Sequence, residues 1–589
     1  MTAQDRRRAA ERRRAGQAGA TGRDDAVPMN SPAQRKAAWE QDAAPQGEGG
    51  PRKQPRDPAR PKGPRRQADA SKQRETRGGP ANEATGKRTG ARSGDRGAPQ
   101  AAGAAGGRAQ SNKGGADRAA ARSASKGAAR QKDLKAGRDE RAWAASVDPV
   151  RLVALDVLRA VRERDAYANL VLPALLRERK ISGRDAALAT ELAYGTCRSR
   201  GLLDAVIASG AGRPVDEVDG PLLDVLRLGV YQLLRTRIGA HAAVDTSVAL
   251  ARAEFGAGKA GFVNAVLRRA GEKSVDEWVA ALAPQDPIGR LAFEFAHPTW
   301  IAQAFADALG AEAGELRDVL AADDARPIVH LVARPGEITA EELALVTGGE
   351  EGRWSPYAVY LDGGDPGKLE PVREGMAAVQ DEGSQLVALA LTRAPLEGPD
   401  NGRWLDLCAG PGGKAALLGA FAAIDGHRVD AIEPAEHRAE LVRKAVRNLP
   451  VDVHVADGRS SGLTPGYDRI LVDAPCTGLG ALRRRPEARW RRTPSDVADL
   501  VVLQRELLTA AWDLLRPGGV VIYSTCSPHL PETVAIVADA VRRTGATQLD
   551  TRDLLPGVTN VGDGPAAQLW PHRHGTDAMF LAALRKPVE

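Results

Sequence analysis

The sequence predicts an α/β domain with a mostly parallel, doubly wound sheet, preceded by an all-α bundle and a small α+β subdomain. Three observations predict this. A short apolar run at Arg403-Trp404-Leu405-Asp406-Leu407 breaks into a glycine-rich turn and resumes as Ala415-Ala416-Leu417-Leu418, the pattern of strand, tight turn and helix. Further apolar runs behind it end in acidic residues at strand–helix–strand spacing. Ahead of it, Leu- and Ala-rich stretches repeat at helical spacing.

In chain order, residues 1–145 come first. Up to residue 140 they hold 32 Lys and Arg against 16 Asp and Glu, a balance of +16 where the whole chain carries only +7. Trp39 is the one aromatic up to residue 140, and Gly, Ala, Pro, Gln and Arg dominate. Too little apolar surface is present to offset chain entropy, so a disordered basic tail is expected, either a solvated extension or an arm attracted to a polyanion such as RNA.

Residues 148–275 read as a helical bundle. Val150, Leu152, Val153, Leu155, Val157 and Leu158 open it, and Leu222 to Leu234 form a central helix. Arg151, Arg184, Arg198, Arg200, Arg227, Arg235, Arg237, Arg268 and Arg269 place positive charge on these helices, as a solvated face or as an RNA-docking surface. Residues 276–400 read as a linker and a small α+β subdomain expected to touch RNA. Pro327–Pro335 reads as a strand, Thr339-Ala340-Glu341-Glu342 as a capping box, and Val379–Leu386 as the lead-in helix to the glycine turn. His297 has no partner motif and reads as structural.

The parallel sheet is expected over residues 401–589. Glycines in the turn Cys408-Ala409-Gly410-Pro411-Gly412-Gly413-Lys414 allow close backbone approach to a ligand, and the helix start behind them offers unpaired N–H groups, which suits a nucleotide-like cofactor. Arg428–Glu433 reads as a strand ending in an acid 27 residues after Asp406, placed to accept ribose hydroxyls. Val453–Asp457 reads as a third strand, with Asp457 suited to an adenine edge; Arg469–Asp473 and Gly519–Tyr523 are the fourth and fifth. The fourth leads to Asp473-Ala474-Pro475-Cys476 and the fifth to Ser524-Thr525-Cys526-Ser527, so two thiols and a carboxylate are expected at one cleft. Cys408 reads as a small residue packed under the turn, and Cys197 as buried in the bundle.

The four cysteines lie far apart without CxxC spacing, which argues against disulfides and against a zinc site; no metal is expected. No apolar run approaches the roughly 20 residues needed to span a bilayer, and no apolar segment follows the N-terminal arginines, so a cytoplasmic protein without a membrane partner is expected.

Two resemblances then narrow the reading. Glu191-Leu192-Ala193-Tyr194-Gly195-Thr196, Leu226-Arg227-Leu228-Gly229-Val230-Tyr231-Gln232-Leu233 and Phe262-Val263-Asn264-Ala265-Val266-Leu267-Arg268 resemble the NusB-type RNA-binding domain, which implies RNA contact. Cys408–Lys414, Asp473-Ala474-Pro475-Cys476, Arg484-Arg485-Pro486-Glu487 with Trp490, and Ser524-Thr525-Cys526-Ser527 resemble the S-adenosylmethionine-dependent RNA cytosine-5 methyltransferases, of the type acting on bacterial 16S ribosomal RNA. The resemblance spans residues 148–589 and implies a class I methyltransferase domain. Gly410 stands where many members have alanine, Glu433 where many have aspartate, and the Glu-Asn-Glu often found after the catalytic cysteine is reduced to Pro531-Glu532-Thr533.

The family pattern makes Cys526 the nucleophile that adds to C6 of cytosine, and Cys476 the helper in product release. A free thiol of pKa about 8.5 is mostly protonated at neutral pH, so nearby positive charge is needed, for which Lys414 is the candidate. Asp473 is expected to donate to N3, provided burial lifts its pKa. Residues 408 to 414, Glu433, Asp457 and Asp473 are expected to bind S-adenosylmethionine. Arg484, Arg485, Arg489 and Trp490, with Arg483, Arg491 and Arg492 around them, are expected to contact RNA by phosphate pairing and stacking. The expected partner is 16S ribosomal RNA, acted on by a monomer at an unstacked base. Transfer RNA or another ribosomal cytosine is the alternative target. A noncatalytic RNA-binding factor is the alternative class, against which the retention of both thiols speaks; a DNA cytosine methyltransferase would instead use Cys476 as nucleophile.

Overall fold

Helix starts in the first domain follow from local chemistry. In the computed structural model, which describes residues 147–588, Asp148 accepts a hydrogen bond from the Val150 N–H at 3.0 Å and Pro149 takes the first turn, so α1 runs Pro149–Arg164. The basic tail expected over residues 1–145 lies outside the described residues. Helices α2 (Ala168–Glu178), α3 (Gly183–Arg198), α4 (Arg200–Ala211), α5 (Gly220–Arg235), α6 (Ala240–Phe255) and α7 (Ala257–Ala270) complete a bundle. The central α5 is buried almost all round, from Leu222 to Gln232. Arg151, Arg198 and Arg227, read as surface charge, are instead at most 8% exposed, because Gln232, Asp324 and Asp204 respectively partner them.

Four helices follow, α8 (Val275–Leu282), α9 (Pro287–Glu294), α10 (Thr299–Leu309) and α11 (Leu316–Asp324), in the stretch where the sequence reading placed a linker. The apolar faces of α9, α10 and α11 share a core with Leu479, Leu482 and Trp570 of the C-terminal part. The small sheet has strands β1 (Val329–Ala333), β2 (Glu350–Glu351), β3 (Ala358–Leu361) and β4 (Ala377–Val379) in the antiparallel order β2-β3-β1-β4. The predicted capping box is present: Thr339 accepts from the Glu342 N–H, and Glu342 reaches back, opening α12 (Ala340–Thr347). A short α13 (Glu370–Glu374) precedes β4, and the lead-in helix α14 spans Glu382–Arg393.

The large sheet contains β5 (Arg403–Asp406), β6 (Arg428–Ile432), β7 (Val451–His454), β8 (Tyr467–Asp473) and β9 (Leu515–Thr525), all parallel, then β10 (Thr547–Leu549), β11 (Ala567–Gln568) and β12 (Phe580–Arg585). Its order is β10-β12-β9-β8-β5-β6-β7, with β12 antiparallel to β9 and β11 paired to β12. Helices α14 and α15 (Gly413–Asp425) bury one face, while α17 (Pro494–Leu514) and α18 (Val534–Thr544) bury the other; α16 (Glu436–Ala445) joins β6 to β7. The winding reverses between β5 and β8, and that reversal opens a crevice at the carboxyl ends of the strands. Among the described residues, no helix is long and apolar enough to cross a membrane.

Candidate active site

The glycine turn is shaped by what surrounds it. Gly412 has φ +112, and a Cβ there would lie 2.8 Å from the Ala445 Cβ, so only glycine fits between β5 and α16. Gly410 has no room for a methyl either, because the Glu433 Oε2 stands 2.0 Å from where its Cβ would be. Glu433 follows β6, is 2% exposed, and accepts the Ala435 N–H at 3.0 Å. Arg438 joins the pair, donating to the Gly410 carbonyl at 2.8 Å and lying 3.3 Å from Glu433. Ala409 is buried, its N–H bonded to the Ile432 carbonyl at 2.9 Å, which ties the turn to β6. Pro411 carries the chain over to Gly413, the first residue of α15.

At the end of β5, Asp406 is fully buried; its Oδ1 accepts the Cys408 N–H at 3.3 Å and its Oδ2 has no hydrogen-bond partner. Burial, with Asp473 adding to it, pushes this carboxyl up to about 7. Cys408 packs behind the turn with its thiol pushed up by burial, as befits a small inert residue.

Register brings the thiols together. In the parallel pair β8/β9, Asp473 sits opposite Ser524, so the chain beyond each strand delivers Cys476 and Cys526 to one place, with Sγ atoms 3.5 Å apart. Four hydrogen bonds close the loops: Gly480 donates to the Cys526 carbonyl, and the buried Glu532 accepts from the Thr477 N–H at 2.7 Å, the Thr477 hydroxyl at 2.5 Å and the Ser527 hydroxyl at 2.8 Å. Glu532 therefore fixes the residue after each cysteine. Its role was not visible in the sequence, where Pro531-Glu532-Thr533 looked like the remnant of a longer motif.

The thiols are electrostatically unequal. Cys526 lies below the ordinary thiol range, chiefly because Cys476 donates to it; burial and Asp473 oppose this, and Arg485 and Lys414 reinforce it. Cys476 is pushed well up by the same hydrogen bond, by burial and by Glu532. Lys414 Nζ donates to Asp473 Oδ2 at 2.7 Å; burial works against its charge, and Asp473 more than restores it. Asp473 also accepts from the Ser524 hydroxyl at 3.1 Å. Its side chain is 28% exposed and ion-paired, so the burial expected of it is absent.

Comparison with known proteins places the chain in a family. Residues 394–585 match the family model described as 16S rRNA methyltransferase RsmB/F, and residues 148–272 match the NusB family. A Mycobacterium tuberculosis protein, Rv1407, named provisionally as a methyltransferase, is 64% identical over 75% of this chain and 97% of its own. Ribosomal RNA small subunit methyltransferase B of Cronobacter sakazakii is 34% identical over 70% of this chain and 96% of its own. The chain belongs to the 16S rRNA methyltransferase RsmB/F family. The crystal structure of PH0851 shares the fold, with a TM-score of 0.62 and 21% identity over 75% of this chain and 99% of that one.

The cofactor of this RsmB/F family member is S-adenosylmethionine. The cradle suits it: a turn without room for side chains, a buried carboxylate oxygen on Asp406 that lacks a partner, and the Glu433 carboxylate beside the turn. Asp457 departs from expectation. Strand β7 ends at His454, and Asp457 instead caps a following 3-10 turn with its carboxylate paired to Arg459 at 2.6 Å.

The arginine segment is also employed differently from the sequence reading. Arg489 is fully buried, donating to Asp323 Oδ2 at 2.9 Å and to the carbonyls of Ala296 and Phe295; it cannot reach a phosphate from there. His297, as expected, is structural: it meets the same Asp323 at 2.9 Å, and burial with Arg489 keeps it neutral. Trp490 packs on Gly201, where a Cβ would sit 2.2 Å from its ring, and its Nε1–H points to the Arg198 carbonyl. Arg484 pairs with Asp381 and Asp577, and Arg483 with Asp577. The segment is an internal brace between the helical and catalytic parts, leaving Arg485 as its exposed arginine among those predicted to touch RNA.

Proposed function

We propose that the chain methylates C5 of a cytosine in 16S ribosomal RNA through a covalent adduct on Cys526. The observation that carries this reading is the pair of thiols 3.5 Å apart at the ends of adjacent parallel strands, beside the Lys414–Asp473 ion pair. One thiol alone would serve an ordinary addition; a second, kept protonated beside it, gives the addition a way to be undone. The target RNA is taken from the names of the relatives.

S-adenosylmethionine, when bound, supplies the electrophilic methyl group. Cys526 as thiolate attacks C6, forming a C–S bond and moving electron density toward C5, which can then take the methyl group. Density also reaches N3, where the Lys414–Asp473 ion pair supplies the hydrogen-bond donor and the compensating positive charge through the Lys414 ammonium. Removal of the C5 proton, assisted by Cys476, restores the ring double bond as the Cys526–C6 bond breaks. The base must leave its stack to expose both faces, which favours single-stranded or loop RNA.

The test is transfer of labelled methyl groups to unmethylated 16S RNA and to transfer RNA, followed by digestion to nucleosides. Label in 5-methylcytidine from 16S RNA is expected. Label in another nucleoside, or in none, contradicts the chemistry; label in transfer RNA alone keeps the chemistry and discards the target.

A further inference from the structure

The helical domain brings one side chain against the arginine segment that follows Cys476. Helix α1 ends at Asp165, which has φ +49, and the turn Asp165-Ala166-Tyr167 leads into α2 with Tyr167 at the N-cap. Arg491 of the catalytic domain closes this turn by donating to the carbonyls of Val161 at 3.2 Å, Asp165 at 2.8 Å and Ala166 at 2.6 Å. Carbonyls at a helix C-terminus lack intrahelical partners, so one guanidinium satisfies them and pins the backbone carrying Tyr167.

The pinning does not bury the ring. Tyr167 is 41% exposed and is the single aromatic among the large apolar side chains left exposed in the described residues. Two guanidinium groups stand at the ring, Arg485 at 5.6 Å and Arg491 at 5.5 Å from its centroid. Arg485 is exposed, makes no ion pair among the described residues, and acts electrostatically on Cys526. A ring serving only to hold two domains together would be covered by them. Tyr167 is held by the catalytic domain, left open, and flanked by two guanidinium groups of the segment that follows Cys476.

We propose that Tyr167 is a stacking platform for a nucleobase next to the target cytosine in single-stranded RNA, with Arg485 at the intervening phosphate. This rests on the RNA-methylation reading above. Extruding the target leaves a neighbouring base without its stacking partner, and an exposed aromatic face replaces that partner with little regard to base identity.

The experiment compares the full chain as wild type, Tyr167→Ala and Tyr167→Phe. It reads KM for unmodified 16S RNA, equilibrium affinity for the same transcript, and the fluorescence of 2-aminopurine placed beside the mapped cytosine in an RNA fragment. Tyr167→Ala is expected to raise KM and weaken RNA affinity about 5- to 150-fold, the equivalent of about 1–3 kcal/mol per stacked base. Quenching of 2-aminopurine on binding should be lost in Tyr167→Ala and kept in Tyr167→Phe. Affinity for S-adenosylmethionine should not move, which separates this effect from misfolding. A change in RNA affinity below about twofold, or a Tyr167→Phe variant as weak as Tyr167→Ala, overturns the proposal. If wild type methylates no RNA, the underlying reading fails separately, and the affinity comparison still decides for or against Tyr167.

Discussion

The Glu433 carboxylate fills the space that a methyl group on Gly410 would need, its Oε2 standing 2.0 Å from the Cβ position. The two residues are also the two positions of the proposed cofactor cradle where the sequence departs from the motif it resembles. They are matched: a longer acid is accommodated by a smaller turn residue.

Gly410→Ala alone should displace Glu433 and Arg438 and weaken S-adenosylmethionine binding by roughly tenfold, about 1.4 kcal/mol. Glu433→Asp alone should shorten the reach and also weaken it. The double variant should recover most of the loss, since the shorter acid makes room for the methyl group. Calorimetric titration of the cofactor into all four proteins measures this, and simple addition of the two losses would show that the pair is not coupled.

Charge near the thiol sets a pH dependence. Arg485 and Lys414 help hold Cys526 below the ordinary thiol range. Removing a cation raises the thiol, so Arg485→Gln should move the acidic limb of kcat/KM to higher pH by about 0.3 to 1 unit. The deficit should be largest on the acid side and shrink as pH rises. An unshifted limb with a uniform loss would assign Arg485 to RNA contact alone.

Asp406 carries a second pH signature, in stability. Its carboxyl is raised from 3.8 to about 7 in the folded protein, so the native state binds the extra proton between those values. Stability from this group therefore falls as pH rises from about 4 to about 7, and the cost is fully present above that. Asp406→Asn, which keeps the acceptor for the Cys408 N–H, should match wild type near pH 4 and exceed it at pH 8 by up to about 4 kcal/mol. Urea unfolding at the two pH values checks it; equal stabilities at pH 8 would contradict the assigned burial cost.

Arg489 should behave as a structural residue. Arg489→Met leaves Asp323 buried without its cation, which costs roughly 3–5 kcal/mol of stability. Removing a phosphate-contacting arginine lowers the salt dependence of RNA binding by about one in slope. Folded Arg489→Met should keep the wild-type salt slope, and a reduced slope would restore it to the RNA surface.

These cases show which features sequence alone made legible. Strand ends at Asp406, Glu433 and Asp473 were visible because each apolar run stops at an acid, a local signal. The thiol pair was visible because parallel strands align their ends. Arg489 was misread because its charge is neutralised by Asp323, 166 residues earlier, and no local pattern announces a buried ion pair. Glu532 was undervalued for the same reason: Thr477, which it holds beside Ser527, lies 55 residues away. Asp457 was read as a strand end when β7 stops at His454 and a 3-10 turn intervenes.

The measurement that bears most directly on the account is denaturing electrophoresis of enzyme mixed with 16S RNA and S-adenosylmethionine, using wild type, Cys526→Ala, Cys476→Ala and the double variant. Cys476→Ala should accumulate a covalent RNA–protein band, because Cys526 still adds to C6 while release is impaired. Cys526→Ala and the double variant should show no band and no methyl transfer. A band that survives in Cys526→Ala and vanishes in Cys476→Ala would reverse the roles of the two thiols and contradict the mechanism.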